Sequence, residues 1–342
     1  MSPEKKKSAW KKFLIIFSIV VVIVALILGG VYFWLDSLVQ MTGDINVTEE
    51  TYSTEELETL FEEDEELEKD PEFQPAETVD QGKDVVNILL VGQDKRPGQK
   101  RQRSDAMILC TMNFKTKTLT LTSLMRDLWV YIPDHYNQRL NVPYKVGGFP
   151  LLNKTLEYNF GISADYNVEV DFSGFREVIN QIGGVDIELT AAEAKYLNKY
   201  SKYDSEDGEK WNLQKGLNHL DGNQALSYAR IRKIDSDFAR TKRQRTVLNS
   251  VLEKVRGMDA TTLYNMAKTI LPMLNTDLTT PKILELLVDA APMLGDVKVV
   301  SKRVPIDKQY YLTSKGKASV IAMKKSHLEA NKEFLKKTVS GE

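Results

Sequence analysis

The sequence predicts an α/β domain, in which helices flank a central mixed β-sheet, preceded by one transmembrane helix. Three observations support this prediction. An uninterrupted apolar run lies near the N-terminus, strand and helix patterns alternate from residue 85 onward, and a long amphipathic helix follows at residues 237–256. With 342 residues, 42% of them hydrophobic, the chain can bury one substantial core.

The first element is an apolar run of 23 residues, 13–35, which as a helix is long enough to cross roughly 30 Å of hydrocarbon. Bulky residues, rather than a small-residue cleavage site, follow Gly29 and Gly30, so we expect an uncleaved anchor. Five lysines precede the run, and the next basic residue after it is Lys69. The positive-inside rule therefore places residues 1–12, a basic tail, in the cytoplasm and everything after residue 35 outside.

The segment that follows the anchor is strongly acidic. We interpret residues 36–84 as an extracytoplasmic spacer, because residues 44–84 contain 17 acidic residues, 2 lysines and few apolar side chains. Residues 85–342 carry a net charge of +10 and form the predicted extracytoplasmic domain. A basic domain suits anionic substrates or an anionic surface, although ordinary solvated lysines give the same charge. Its position outside the cytoplasm argues against nucleic acid as a partner.

The domain begins with three predicted strands and continues with alternating helices and strands. Residues 85–91 are a short apolar run ended by Gly92, and strands 106–113 and 118–124 are joined by a polar turn. Further strands are expected at 167–170, 185–189 and 297–304, and helices at 150–160, 173–182, 237–256, 261–271, 281–290 and 326–338. Gly161 ends the first of these helices, and a glycine pair ends the second.

The spacing of residues argues against several common enzyme sites, although a Ser-His-Asp triad stays open. His135, His219 and His327 lack the spacing of metal ligands, and no Gly-x-Ser-x-Gly elbow or nucleotide-binding P-loop occurs. Cys110 is the only cysteine, so the domain has no intrachain disulfide. Its place in an apolar strand predicts packing rather than reactivity.

The first candidate site lies around the predicted strand ends. Asp94 follows the first strand and Asp105 precedes the second, with a basic loop between them. Two carboxylates at one sheet edge suit Mg²⁺, which takes oxygen ligands and commonly completes its shell with phosphate oxygens. The alternative is that both cap turns or pair with cations of the loop. Arg126 and Asp127 emerge where the third strand ends, a pattern that is more often a local ion pair than a site.

The second candidate site consists of arginines in the middle of the chain. Arg230 and Arg232 share one face if that segment is extended. Arg240 and Gln244 continue the apolar stripe of helix 237–256 toward its N-terminus, so they are expected to face the protein body, where helix N–H groups favour anions. Guanidinium groups suit phosphate oxygens. A solvated basic face is the alternative.

Six motifs follow one another over about 160 residues of the chain. They are Leu89-Leu90-Val91-Gly92-Gln93-Asp94, Arg103-Ser104-Asp105, Ser123-Leu124-Met125-Arg126-Asp127, Gly183-Gly184-Val185-Asp186, the segment 220–232, and the segment 237–244. In this order they resemble the LytR-CpsA-Psr family of bacterial cell-envelope enzymes. Met125 stands where proline is common in the family and Ala106 where threonine is usual, but neither change removes a charged group.

The resemblance implies a glycopolymer phosphotransferase in the cell membrane of a Gram-positive bacterium. Such an enzyme moves a teichoic acid, capsule or similar polymer from undecaprenyl pyrophosphate to a peptidoglycan hydroxyl through a phosphodiester. The resemblance further implies that Asp94 and Asp105 hold Mg²⁺, or alternatively Mn²⁺, on the pyrophosphate. The residues implied to bind the pyrophosphate are Arg103, Arg126, Arg230, Arg232, Arg240 and Gln244, and those implied to act in catalysis are Asp105, Arg103, Arg126, Arg230 and Arg232.

Three further expectations concern the lipid, the proton and the class of protein. The lipid is expected in an apolar pocket lined by the helices around residues 151–160 and 172–182, although such stripes are more often plain core. Asp105 or Asp127 is expected to accept the proton of the acceptor hydroxyl. The alternative function is a non-catalytic binding or sensor protein that holds a polyprenyl phosphate or an anionic polymer.

Overall fold

A computed structural model describes residues 43–44, 73–95, 100–204, 208–256, 258, 270, 274–290 and 296–341. The predicted cytoplasmic tail, the apolar anchor, most of the acidic spacer and all but one residue of the predicted helix 261–271 lie outside the described residues. Among the helices that are described, none has both the length and the apolar character needed to cross a bilayer.

The central sheet has seven strands within the described residues and is mixed, as predicted. Its order is β1 (Gly43–Asp44), β10 (Asn275–Thr276), β7 (Tyr166–Asp171), β2 (Val85–Gln93), β3 (Ser104–Asn113), β4 (Thr118–Leu124) and β11 (Lys298–Val304). Strands β2, β3 and β4 are antiparallel neighbours, whereas β2 pairs with β7 and β4 with β11 in parallel. The end of β2 therefore meets the start of β3, which brings two motifs of the sequence to one edge of the sheet.

The helices agree with the sequence most closely where the apolar period is long. They are α1 (Val142–Phe160), α2 (Phe172–Gln181), α3 (Ala191–Asp204), α4 (Gly222–Ala229), α5 (Asp237–Arg256), α6 (Thr280–Ala290) and α7 (Lys325–Val339). Helix α5 has the predicted bounds. Helix α1 begins eight residues earlier than predicted. It includes an additional segment on the N-terminal side of a kink at Gly147 and Gly148, and Pro150 lies just after this kink.

Several short elements were not predicted from the sequence. They are the two-residue strands β1 and β10, the hairpin β5 (Trp129–Tyr131) with β6 (Asn137–Arg139), strand β9 (Gly216–Leu220), the hairpin β12 (Tyr311–Lys315) with β13 (Ala318–Ala322), and helices α3 and α4. The predicted strand 185–189 forms as β8 (Val185–Leu189), but it pairs with β9 outside the central sheet. These elements are too short or too polar to show a clear apolar period.

The two faces of the sheet pack against different helices. Leu89 and Leu109 point to the face covered by α1 and α7, and their neighbours Ile108 and Cys110 point to the face covered by α5. Cys110 is buried, and desolvation raises the pKa of its thiol to about 12. The thiol therefore packs as a small apolar group, as the sequence predicts.

Gly161 provides a test of the backbone at the end of α1. Gly161 is the C-cap of the helix and has a left-handed φ of 71°. A Cβ added at this position lies 2.1 Å from the carbonyl oxygen of Glu77. Gly183 has a similar φ of 76°, but no heavy atom of the described residues lies within 4 Å of a Cβ added there. We expect Gly183→Ala to cost about 1–2 kcal/mol of unfolding free energy through backbone strain alone, and Gly161→Ala to cost about 1–3 kcal/mol more through the clash. Guanidinium unfolding of both variants measures the difference, and equal losses contradict the packing described.

Candidate functional site

A cavity of about 560 Å³ lies between the central sheet and helices α2, α4 and α5. Most of its wall is apolar, with side chains that include Val168, Val170, Phe172, Phe175, Val178, Ile179, Val247, Leu248 and Val251. Charged and polar side chains line it as well, among them Asp94, Asp105, Arg230, Arg232, Arg240 and Gln244. The cavity therefore joins an apolar compartment to a cluster of arginines and aspartates.

The pairing of β2 with β3 places the two predicted metal-binding carboxylates on one cavity wall. Asp94 follows the last residue of β2, and Asp105 is the second residue of β3. A β-bulge shifts the register between Gly92 and Gln93. The side-chain oxygen of Gln93 accepts a hydrogen bond from the backbone N–H of Gln102 at 2.8 Å, which ties together the two ends of the intervening loop.

Asp105 is the centre of the ion pairs at this end of the cavity. Its Oδ1 accepts hydrogen bonds from Arg126 Nη1 at 2.7 Å and from Arg232 Nη2 at 3.1 Å. Asp94 Oδ2 lies 3.7 Å from Arg230 Nη2, and the Arg230 guanidinium stands 4.5 Å from the ring centroid of Phe172. Arg230 is thus held by a carboxylate and an aromatic face rather than by a close hydrogen bond.

Arg240 confirms the prediction from the phase of helix α5. The residue is 1% exposed, lines the cavity, and pairs with Asp237 at 2.9 Å. Burial lowers the pKa of its guanidinium to about 10, and Arg126 and Arg232 contribute repulsion while Asp237 opposes the shift. Its Nε has no hydrogen-bond partner among the described residues. A buried cation of this kind is well placed to receive an anion.

Arg103 and Arg126 occupy different positions from the other predicted site residues. Neither lines the cavity, although Arg126 reaches Asp105, which does. Arg126 Nε also lies 3.6 Å from Asp127 and 3.7 Å from Asp237, so the local ion pair considered for Arg126 and Asp127 is present. Desolvation raises the pKa of the Asp127 carboxyl, and the nearby arginines only partly oppose this.

The structure also corrects the expected lipid pocket in part. Helix α2 lines the cavity, as expected for residues 172–182. The helix at residues 151–160 does not, because Leu152, Leu156 and Phe160 are buried in the core on the other face of the sheet. Helix α3 contributes Tyr196 to the wall, and this helix has no clear apolar period by which it could be predicted.

Arg243 is a buried residue whose role was not predicted. It is 4% exposed, and its Nε donates to Glu193 at 2.7 Å. Its Nη1 donates to the backbone carbonyl of Ile231 at 3.1 Å, and both terminal nitrogens bond the Asp235 carboxylate. Arg243 therefore fastens the loop that carries Arg230 and Arg232 to helices α3 and α5.

Asp94 and Asp105 are of the oxygen-ligand type that Mg²⁺ takes in proteins. Within the described part of the chain, no group of three or more His, Cys, Asp or Glu side chains is gathered as a metal site. Asp94 and Asp105 both line the cavity, and Mg²⁺ commonly uses one or two carboxylates together with phosphate oxygens and water.

Known proteins share the sequence pattern and the fold of this chain. A model of the LytR_cpsA_psr family matches residues 48–337. The chain is 37% identical over 190 residues to the polyisoprenyl-teichoic acid–peptidoglycan teichoic acid transferase TagT of Bacillus subtilis, a match covering 54% of this chain and 58% of that protein. It is 29% identical over 256 residues to the regulatory protein MsrR of Staphylococcus aureus, covering 73% of this chain and 74% of that one.

One of the similar solved structures contains a bound lipid. The LytR-CPS2A-psr family protein YwtF (TagT), with bound octaprenyl pyrophosphate lipid, superimposes with a TM-score of 0.57 at 27% identity. The superposition covers 78% of this chain and 96% of that one. The sequence match to the TagT transferase spans a little over half of its length, whereas the likeness in structure spans nearly all of the resolved YwtF chain.

The buried Arg243 provides a second test. Arg243→Met leaves Glu193 and Asp235 without their shared cation, and we expect a loss of about 3–5 kcal/mol in unfolding free energy. The control is Lys337→Met, which removes a pair with Glu333 at 3.1 Å whose side chains are both 58% exposed. That variant is expected to lose less than about 1 kcal/mol. Denaturant unfolding of both variants makes the comparison, and similar losses would show that Arg243 does not fasten the loop.

Proposed function

This chain belongs to the LytR_cpsA_psr family, and we propose that it transfers a glycopolymer from an undecaprenyl pyrophosphate carrier to a hydroxyl of peptidoglycan. The observation on which the proposal rests is the cavity, in which an apolar compartment adjoins clustered arginines and aspartates. A polyprenyl pyrophosphate has the same two parts, an apolar tail and an anionic head.

The apolar wall of the cavity is the proposed site of the lipid. Phe172, Phe175, Val247 and Val251 offer contacts without hydrogen-bonding groups, which suits an isoprenoid chain. Arg230, with its side chain 48% exposed, is proposed to bind the pyrophosphate oxygens at the open end.

The remaining arginines are proposed to act around that head group. Arg232 and the buried Arg240 line the cavity and add positive charge, and Gln244 adds an amide. Arg126 is proposed to act through Asp105, which it holds by a hydrogen bond. Arg103 precedes β3, outside the cavity wall, so its proposed contact with the pyrophosphate requires the substrate to extend beyond the cavity.

In the proposed reaction the hydroxyl oxygen of the acceptor attacks the phosphorus next to the sugar. The bond from that phosphorus to the bridging oxygen breaks, and the lipid leaves as its monophosphate. Phosphoryl transfer depends chiefly on positioning and charge stabilisation, which clustered arginines provide. Asp105 is the proposed acceptor of the hydroxyl proton, because it lines the cavity and Asp127 does not.

Asp94 and Asp105 are the residues proposed to hold Mg²⁺, or Mn²⁺ in its place. When bound, the ion neutralises charge on the pyrophosphate oxygens. The same two carboxylates keep Arg126, Arg230 and Arg232 in position through their ion pairs.

The proposed location is the outer face of the cell membrane of a Gram-positive bacterium. The apolar run at residues 13–35 is proposed to anchor the chain with its N-terminus in the cytoplasm. Such an anchor keeps the cavity near the bilayer that carries the lipid substrate.

A second candidate is a binding or sensor protein that holds the same lipid without turnover. The resemblance to the regulatory protein MsrR gives this alternative its basis. Asp94 and Asp105 on the cavity wall favour transfer, because they offer the metal ligands and the proton acceptor that the proposed reaction needs and that binding alone does not.

The proposal is tested by incubating the full-length chain in detergent with lipid-linked glycopolymer, peptidoglycan fragments and Mg²⁺. We expect release of undecaprenyl monophosphate together with a glycopolymer–peptidoglycan product. Arg230→Ala and Asp94→Ala are each expected to lower the rate by about 10²–10³-fold, because each removes a charged group from the proposed site of the pyrophosphate. Addition of EDTA is expected to stop the reaction.

Lys337→Met, far along the chain from the cavity residues, is the matched control and is expected to keep the wild-type rate. Full activity of Arg230→Ala and Asp94→Ala would refute the proposed site. Tight binding of the lipid-linked substrate with no release of lipid monophosphate would instead establish the binding or sensor alternative.

A further inference from the structure

Two further arginines, Arg245 and Arg303, lie outside the cavity wall, where helix α5 crosses strands β4 and β11. Parallel pairing sets Ser123 of β4 beside Arg303 of β11, and the strand period places Ser301 on the same face as Arg303. On α5, Arg245 and Asn249 are four residues apart and face these strands. Arg245 Nη1 donates to Ser123 Oγ at 2.5 Å, and Asn249 Nδ2 donates to Ser301 Oγ at 3.5 Å.

Arg245 is a buried cation that forms no ion pair with any carboxylate of the described residues. The residue is 8% exposed, and none of the ion pairs of the described residues includes it. Its Nε is buried without a hydrogen bond, and its described side-chain partner is the neutral hydroxyl of Ser123. Burial, and then repulsion from Arg303, lower the pKa of its guanidinium. Leaving such a charge unbalanced in the folded protein is costly.

Arg303 adds a second positive charge to the same place. Its side chain is 19% exposed and packs 4.4 Å from the ring centroid of Phe238. One terminal nitrogen bonds Asp307, and the other, Nη1, is buried and has no hydrogen-bond partner in the part of the chain that the structure describes. The two arginines and Asp307 together carry one net positive charge.

We propose that Arg245 and Arg303 form a binding site for a phosphodiester, separate from the cavity. A phosphodiester carries one negative charge, which matches the net charge of the group, and its oxygens accept hydrogen bonds from guanidinium nitrogens. Ser123 adds a hydroxyl at the same place. The site does not depend on the proposed transferase activity, because it shares no residue with the cavity wall.

Dimethyl phosphate is the probe for this site, and inorganic phosphate is the comparison. Thermal melting of the full-length chain in detergent is followed with each anion and with sodium chloride at equal ionic strength. Because the cavity also contains arginines, the measurement is repeated in an Arg230→Ala, Arg232→Ala double variant. We expect dimethyl phosphate at a concentration near ten times its Kd to raise the melting temperature by about 2–4 °C in both proteins.

Adding Arg245→Gln to the double variant is expected to abolish this rise and, without any anion, to raise the melting temperature, because a buried charge is removed. Arg303→Gln gives the same test of the response at a less buried position, should Arg245→Gln fail to fold. An equal response to inorganic phosphate supports a site for any phosphate oxyanion, and a response to dimethyl phosphate alone supports a phosphodiester site. The proposal is overturned if the rise disappears in the double variant, or if it survives both Arg245→Gln and Arg303→Gln.

Discussion

The carboxylate of Asp105 is the constraint on which the arrangement of the cavity arginines depends. It lies at the start of β3 and binds Arg126, which follows β4, and Arg232, which follows α4. Burial lowers the pKa of the Arg240 guanidinium, and repulsion from Arg126 and Arg232 adds to this shift. Asp105 and Asp237 offset that repulsion, so the cations are gathered before any anion is present. Donors fixed in advance stabilise developing charge without rearranging during a reaction.

The two faces of the central sheet differ, because one is packed with apolar side chains and the other borders the cavity. Its face toward α1 and α7 is filled by a large apolar cluster that includes Leu89, Leu109 and Phe160. Its other face is covered partly by α5 and leaves the cavity open between the sheet and α2, α4 and α5. An open cavity forgoes packing contacts. The apolar cluster on the other face of the sheet offsets this loss of packing contacts.

The sequence predicts well those helices whose apolar stripe continues over several turns. It predicts poorly the contacts between segments that are far apart in the chain. The bounds of α5 and the burial of Arg240 follow from one apolar stripe that continues over several turns. Arg243 lies on the same helix, but its carboxylate Glu193 comes from α3, fifty residues earlier in the chain. Because α3 shows no strong apolar pattern, neither that helix nor its ion pair with Arg243 is visible in the sequence. Similarly, the motif containing Arg126 marks it as important without showing that it reaches Asp105 rather than the cavity itself.

If the cavity binds the proposed lipid, helix α5 sets the length of tail that the cavity can enclose. The residues it contributes to the cavity extend from Arg240 to Val251, a rise of about 16 Å along the helix axis. That distance is short beside an extended undecaprenyl chain. A carrier with its head group at Arg240 would keep most of its tail beyond the end of the cavity, still dissolved among other lipids. In the proposed function, the protein would then bind its substrate at the membrane surface without extracting it. The bilayer would enclose the part of the tail that the cavity does not.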